Sequence, residues 1–438
     1  MRVIALVASH CPSFSLRGLS VFLFSTSLLL APASTMAGDQ WKTAEWPAFR
    51  GPNSDGIAPP TATPPITWSE QQGVIWRLET TGRGWSTPVV WNGTAWFTAA
   101  SEDGKQMWVT SVDLETGEPR WRIDLFENDE VDEKHNMNSY ASPSPVTDGR
   151  HVWVHFGSYG TACLDAASGK LIWQRRDLPC NHWRGPGSSP ILVDDLLIVH
   201  YDGYDYQYVV ALNQATGETV WKVDRDIDYG TDNGDYMKAY CTPQVIEVDG
   251  QRQLISPTSK AVLAYAPLSG EEIWRVTFDE FSATAMPLWD GQRVYVNTGF
   301  GKAKLYAIDP RGQGDITNSN VQWINTTSIG SKPSQLLTDG RIYNVHDQGV
   351  ATCVDAATGE TLWKERLGGQ YSASILLAGG HLYLFDHDGI CHVLRPGPEF
   401  QQVAENQLDD GCMASPVPLG DKLLVRTRTA LYLLGSSD

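Results

Sequence analysis

Short apolar runs that alternate with polar positions at a period of two recur along the chain. Arg341-Ile-Tyr-Asn-Val345 and His381-Leu-Tyr-Leu-Phe385 are representative. Their β-branched and aromatic content and their punctuation by Gly, Asp and Asn predict β-strands. No stretch keeps a 3.6-residue period over three turns, so the pattern is all-β.

The strands belong to a repeat. Asp355-Ala-Ala-Thr-Gly-Glu-Thr-Leu-Trp363 predicts a tight hairpin. Asp355 bonds the amides of its own turn, Gly359 takes positive φ without a steric cost, and Trp363 lies in the strand that follows. The phrase returns at Asp113–Trp121 with Gly117, at Asp165–Trp173 with Gly169, and at Asn213–Trp221 with Gly217. A weaker copy runs from Ala266 through Gly270 to Trp274. A stretched copy, with six extra residues in the turn, runs from Asp309 to Trp323. Trp spacings of 52, 48, 53, 49 and 40 residues define an array.

Seven repeats follow, each of four short strands opening near a small-residue–Pro step, as at Thr87-Pro88 and Ser189-Pro190. The seventh loses its Thr-Gly hairpin at Arg395-Pro-Gly-Pro398. The last segment, Ala414 to Leu434, has only three strands. Residues 74–79, Val-Ile-Trp-Arg-Leu-Glu, match the strand that normally carries the Trp, yet no repeat precedes them. Pairing this orphan, with Trp76, to the incomplete segment gives an eight-bladed β-propeller of four-stranded antiparallel blades closed by the N-terminal strand. Closure removes edges that would otherwise aggregate.

Ahead of the repeats, residues 1–37 read as a signal peptide. Arg2 and Arg17 are the only Lys, Arg, Asp or Glu before Asp39, Leu19–Ala31 is apolar, and Thr35-Met36-Ala37 offers a cleavage site. Residues 38–65 read as an extended arm held over the body by its aromatics, and 66–438 as a single propeller domain. Without 1–37 the chain carries 31 Lys and Arg against 51 Asp and Glu. That anionic surface argues against nucleic acid as a partner. No transmembrane span is expected, which leaves an exported protein of the periplasm or cell surface. The six remaining cysteines show no Cys-x-x-Cys or adjacent pair, and Cys163 and Cys353 hold equivalent repeat positions. Buried free thiols are expected.

The Asp-x-x-Thr-Gly-x-x-x-Trp phrase resembles the pyrroloquinoline-quinone-type propeller repeat over nearly all of residues 66–435. Two kinds of protein share it: quinoprotein dehydrogenases, and non-enzymatic envelope propellers such as the lipoprotein of the outer-membrane β-barrel assembly machinery. Trp46-Pro-Ala-Phe-Arg-Gly-Pro52 and His182-Trp-Arg-Gly-Pro186 resemble a family of exported bacterial propellers called quinone-binding-like after the repeat. The dehydrogenase resemblance implies a Ca²⁺-held quinone (PQQ), an Asp base and often an adjacent-cysteine disulfide. This chain has no such cysteine pair, and Asp232, Asn233 and Asp235 do not follow that ligand pattern.

The repeats disagree most in the linkers between one Trp strand and the next small-residue–Pro step. Such linkers open on the axial funnel of a propeller, and here they are rich in polar and aromatic groups. His135, Asn138, His182, Arg184, Asp235, Lys238, Tyr240, Lys332, Gln370 and Tyr371 are the candidate ligand-binding residues. They suit a polar small molecule or a protein segment. The expectation is a binding or scaffolding propeller of the envelope with no cofactor and no catalytic residue. The alternative is a periplasmic PQQ-dependent alcohol or sugar oxidoreductase.

Overall fold

The structure is a computed structural model and describes residues 40–435. The signal-peptide reading falls outside the described residues. Eight antiparallel sheets make up the fold. Blades 1 to 7 span 89–127, 146–175, 191–224, 244–277, 288–325, 336–366 and 376–407. Blade 8 joins Val417–Leu419, Lys422–Arg426 and Ala430–Leu434 to Val74–Glu79. The closing strand pairs antiparallel with the last one, Arg77 opposite Tyr432 and Glu79 opposite Ala430. Blade 7 completes a fourth strand, Gln402–Gln407, although its hairpin sequence departs from the repeat.

Each hairpin is built as its residues require. Asp355 Oδ1 accepts the N–H groups of Ala357 and Thr358 at 3.0 and 2.8 Å, and Gly359 turns at φ +76°. Asp113 and Asn213 hold their turns the same way. The glycine does more than turn. A Cβ on Gly359 would lie 2.6 Å from the Trp323 ring of the preceding blade, and Gly117, Gly169, Gly217 and Gly270 face Trp76, Trp121, Trp173 and Trp221 in the same manner. The indole N–H then crosses to the next blade: Trp76 donates to Leu114 O at 2.9 Å, Trp173 to Gln214 O at 2.8 Å and Trp323 to Ala356 O at 3.2 Å. Five blade-to-blade junctions are thus locked by a ring laid flat on a glycine.

The stretched copy breaks this rule and compensates. Its extra residues send Gly314–Asp315 back along Trp274 and Arg275, adding a short parallel strand to the outer edge of blade 4. Trp274 has no following Thr-Gly turn to meet, and its indole donates instead to Gln253 Oε1 at 2.8 Å.

The lead-in segment crosses the propeller. Trp46 exchanges two main-chain bonds with Val90 of blade 1, Thr147 N–H of blade 2 donates to Pro47 O, and Ala58 and Gly56 pair with Leu377 of blade 7. Arg50 is buried and donates to Ser334 O and Gln335 O of blade 6 at 3.3 and 2.7 Å. Burial without an ion-pair partner pulls its guanidinium down to about 10. These contacts fall on the side of the Asp-Gly and Thr-Gly turns, so the segment closes the axis at that end. All six cysteines of the described residues are buried and free.

Candidate functional site

The small-residue–Pro steps meet at the axis. Thr87, Ser144, Ser189, Thr242, Ser334, Ser374 and Ser415, one from each blade except blade 5, all line a single cavity of about 600 Å³. They form a belt. Thr87 N–H donates to Ser144 Oγ, Ser144 N–H to Ser189 Oγ and Ser189 N–H to Thr242 Oγ1, each at 2.9 Å. The belt resumes at Met286 N–H to Ser334 Oγ, continues through Ser374 and Ser415, and closes from Ser415 N–H to Thr87 Oγ1, at 3.0–3.1 Å. The one missing link is at blade 5, where Met286 has no hydroxyl to accept. Pro follows five of the seven belt residues, and also Met286 of blade 5. It begins the innermost strand with a residue that has no N–H to leave unpaired at the axis.

Phe49 of the lead-in segment lines the same cavity and forms its floor. The opposite end opens between the blade-to-blade linkers. Its walls mix the apolar Trp85, Met137, Tyr236, Phe281 and Phe300 with His135, Arg184, Asp235, Lys238, Lys332 and Asp347. Asp235 Oδ2 accepts from Arg184 at 3.2 Å, while Lys238 Nζ lies 2.9 Å from Oδ1 as an ion pair and donates to the Asp235 main-chain carbonyl. Burial pushes its carboxyl up, but these two cations hold it below the usual range. Asp347 is occupied by the amides of Ser331 and Lys332 and the Ser331 hydroxyl, at 2.9, 3.0 and 2.6 Å. The Lys332 ammonium makes no hydrogen bond or ion pair, and burial lowers its pKa against the pull of Asp347. His135 is lowered by burial and then by Arg184, Lys332 and Lys238, which places three cations around one opening.

Seven of the ten candidates from the linkers face this cavity: His135, Asn138, Arg184, Asp235, Lys238, Tyr240 and Lys332. Three do not. His182 is buried, accepts Ser158 N–H at 3.2 Å and packs against Tyr201, because Trp183 turns through φ +54° and carries the chain away. Tyr371 is fully buried among blade 6 and 7 residues. Gln370 lines a separate small cleft with His387, Asp388 and Arg428. The belt hydroxyls, Phe49, Asp347 and the Phe281–Phe300 pair were not among the candidates. The small-residue–Pro steps did signal the belt, but as strand starts rather than as a ring.

At the cavity mouth an aromatic ridge runs over blades 3 to 5, and its Tyr236, Phe281 and Phe300 also line the cavity. Tyr236 meets Phe281 at 4.6 Å and Phe281 meets Phe300 at 5.7 Å between ring centroids, and Trp183 lies tilted against Tyr204 at 5.4 Å. Phe300 is 61% exposed and Tyr206 49%. Large rings this open on a linker face are a surface for contact.

A Ca²⁺-held quinone does not fit these residues. No group of three His, Cys, Asp or Glu among the described residues is arranged for a metal ion. Of the two cavity carboxylates, Asp235 is ion-paired with Arg184 and Lys238, and Asp347 accepts two amides and a hydroxyl. The chain also has no adjacent cysteine pair.

Residues 68–206, 205–328 and 302–395 match the family described as outer membrane protein assembly factor BamB. The chain is 24% identical over 346 residues to the outer membrane protein assembly factor BamB of Yersinia pestis, covering 77% of this chain and 81% of that one. It is 25% identical over 211 residues to the protein of that name from Legionella pneumophila (strain Paris), covering 47% and 50%. Among solved structures, BamB from Moraxella catarrhalis superposes with a TM-score of 0.59 at 13% identity, over 83% of this chain and 99% of that one. The quinohemoprotein alcohol dehydrogenase of Comamonas testosteroni gives 0.66 at 13% identity, over 92% and 82%. At these identities the two structures speak to the fold alone.

Proposed function

The chain belongs to the outer membrane protein assembly factor BamB family, and on that footing we propose that it is an exported propeller that holds protein partners in the cell envelope during outer-membrane protein assembly. The aromatic ridge of blades 3 to 5 carries the reading. Tyr206, Tyr236 and Phe300 are exposed at a rim where a monomer with no partner gains nothing from large apolar rings. They sit on blade-to-blade linkers and strand-connecting loops, and a rigid closed scaffold holds these in place. No helix of the described residues is long and apolar enough to cross a membrane. An oxidoreductase role has less support, because the cavity carboxylates are already bonded.

The test is a deletion strain complemented with the wild-type chain or with a Tyr206→Ser/Phe300→Ser double variant. Folded outer-membrane β-barrel proteins are quantified by their heat-modifiable gel mobility. The deletion is expected to lower them, the wild type to restore them and the rim variant to restore them incompletely. Unchanged levels in the deletion would overturn the scaffold reading. So would turnover of an alcohol or sugar by the purified chain supplied with PQQ and Ca²⁺.

A further inference from the structure

The belt hydroxyls have a second bond to make. Each of the seven oxygens accepts a main-chain N–H from the preceding blade. That leaves every O–H proton to be placed, since a hydroxyl donates as well as accepts. None of the seven donates to a protein atom among the described residues. None of these residues is more than 8% exposed, and all line the axial cavity. The belt is therefore a ring of hydroxyls whose protons still need an acceptor. Above it stands the unpaired Lys332 ammonium, and Arg184 and Lys238 outnumber the one carboxylate they share. The cavity is positive inside a chain whose formal charge is −18.

A cation would be repelled by Arg184, Lys238 and Lys332. A neutral sugar would leave the buried Lys332 ammonium without a counter-ion. An oxyanion brings acceptors only and supplies the missing charge. We propose that the axial cavity binds an oxyanion, a carboxylate or phosphate group of a small molecule, with Lys332 as counter-ion and the belt hydroxyls as donors. Phe49 closes the lower end, so the ligand enters and leaves between the blade-to-blade linkers. The apolar wall of Trp85, Met137, Phe281 and Phe300 accommodates a body attached to the anionic group. The anion site rests on the belt and Lys332, and it shares Tyr236, Phe281 and Phe300 with the ridge that carries the scaffold reading.

Calorimetry on the purified full chain tests it with inorganic phosphate, phenyl phosphate and benzoate, and with phenol as the uncharged control. Saturable binding of at least one anion, but not of phenol, is expected. Lys332→Gln is expected to weaken it about tenfold or more, and Lys332→Arg to recover part of the loss. Arg252→Ala, which breaks a surface pair with Asp194, should leave binding unchanged. Inorganic phosphate binding as tightly as phenyl phosphate would identify the free ion as ligand, and tighter phenyl phosphate would identify a group on a larger body. Both support the site. No saturable binding of any anion would mean that the cavity holds water only. Equal affinity in Lys332→Gln would place the anion elsewhere. Either result overturns the proposal.

Discussion

Two glycines of blade 6 separate the energy of the blade interlock from the energy of turning. Gly340 sits at φ +69°, and a Cβ there would meet nothing within 4 Å. Gly359 sits at φ +76°, but its Cβ would lie 2.6 Å from the Trp323 ring. Gly340→Ala therefore carries only the left-handed backbone cost, about 1–2 kcal/mol. Gly359→Ala carries the same cost plus that of forcing the indole off its seat, about 1–3 kcal/mol for overpacking. Displacing the ring also stretches the Trp323 N–H bond to Ala356 O, now 3.2 Å. The total is about 2–5 kcal/mol. Urea unfolding followed by tryptophan fluorescence reads both variants against the wild type. Gly359→Ala should have the clearly lower midpoint, and Trp323 emission should shift to the red in its native baseline. Equal midpoints for the two variants would refute the claim that ring-on-glycine packing joins the blades.

Three further outcomes follow from buried groups. Asp202 and Arg225 form a bidentate pair at 2.8 and 2.6 Å, both buried, so Asp202→Ala strands a cation and should cost about 3–5 kcal/mol by urea unfolding, with Asp202→Leu/Arg225→Met losing less. Burial depresses His182 and His387 to about 4 and His155 to about 3. The unfolded chain then binds more protons at acid pH, so their stabilisation is complete above about 6.5 and is lost as pH falls towards 4; the urea midpoint should drop across that window, and His182→Gln should make the drop shallower. Arg50→Ala leaves the carbonyls of Asp55, Ser334 and Gln335 without their donor, so it should cost about 2–3 kcal/mol or more and raise hydrogen exchange at Gly56, Ala58 and Leu377.

What was legible in the chain was local or repeated. The Asp355 turn, its glycine and its Trp lie within nine residues, and copies at 113, 165 and 213 make the blade readable without any long-range contact. The orphan strand at Trp76 was readable because it is a fragment of the same phrase. The site was legible only in part, because a linker's position around the axis does not determine where each side chain points. Arg184 and His182 are two residues apart, yet one faces the cavity and the other is buried beneath it. Phe49 and Arg50 could not be placed from sequence, since the Arg50 partners are 284 and 285 residues away. The belt depends on eight steps arriving at one radius, and no single Ser-Pro or Thr-Pro step carries that information.

The closure has a consequence in time. Arg77 finds Tyr432 355 residues later, and Ser86 finds Arg426 after 340. A growing or emerging chain can complete blades 1 to 7 in order, since each needs only its own strands. Residues 74–79 must stay unpaired until the last strand is delivered, and the lead-in segment must wait for blades 6 and 7. The final folding step is thus a non-local one in which the first strand meets the last, and loop-closure entropy makes such steps slow. Until it happens the nascent ring shows two strand edges, and a chaperone that shields them would act on this protein at its last stage rather than its first.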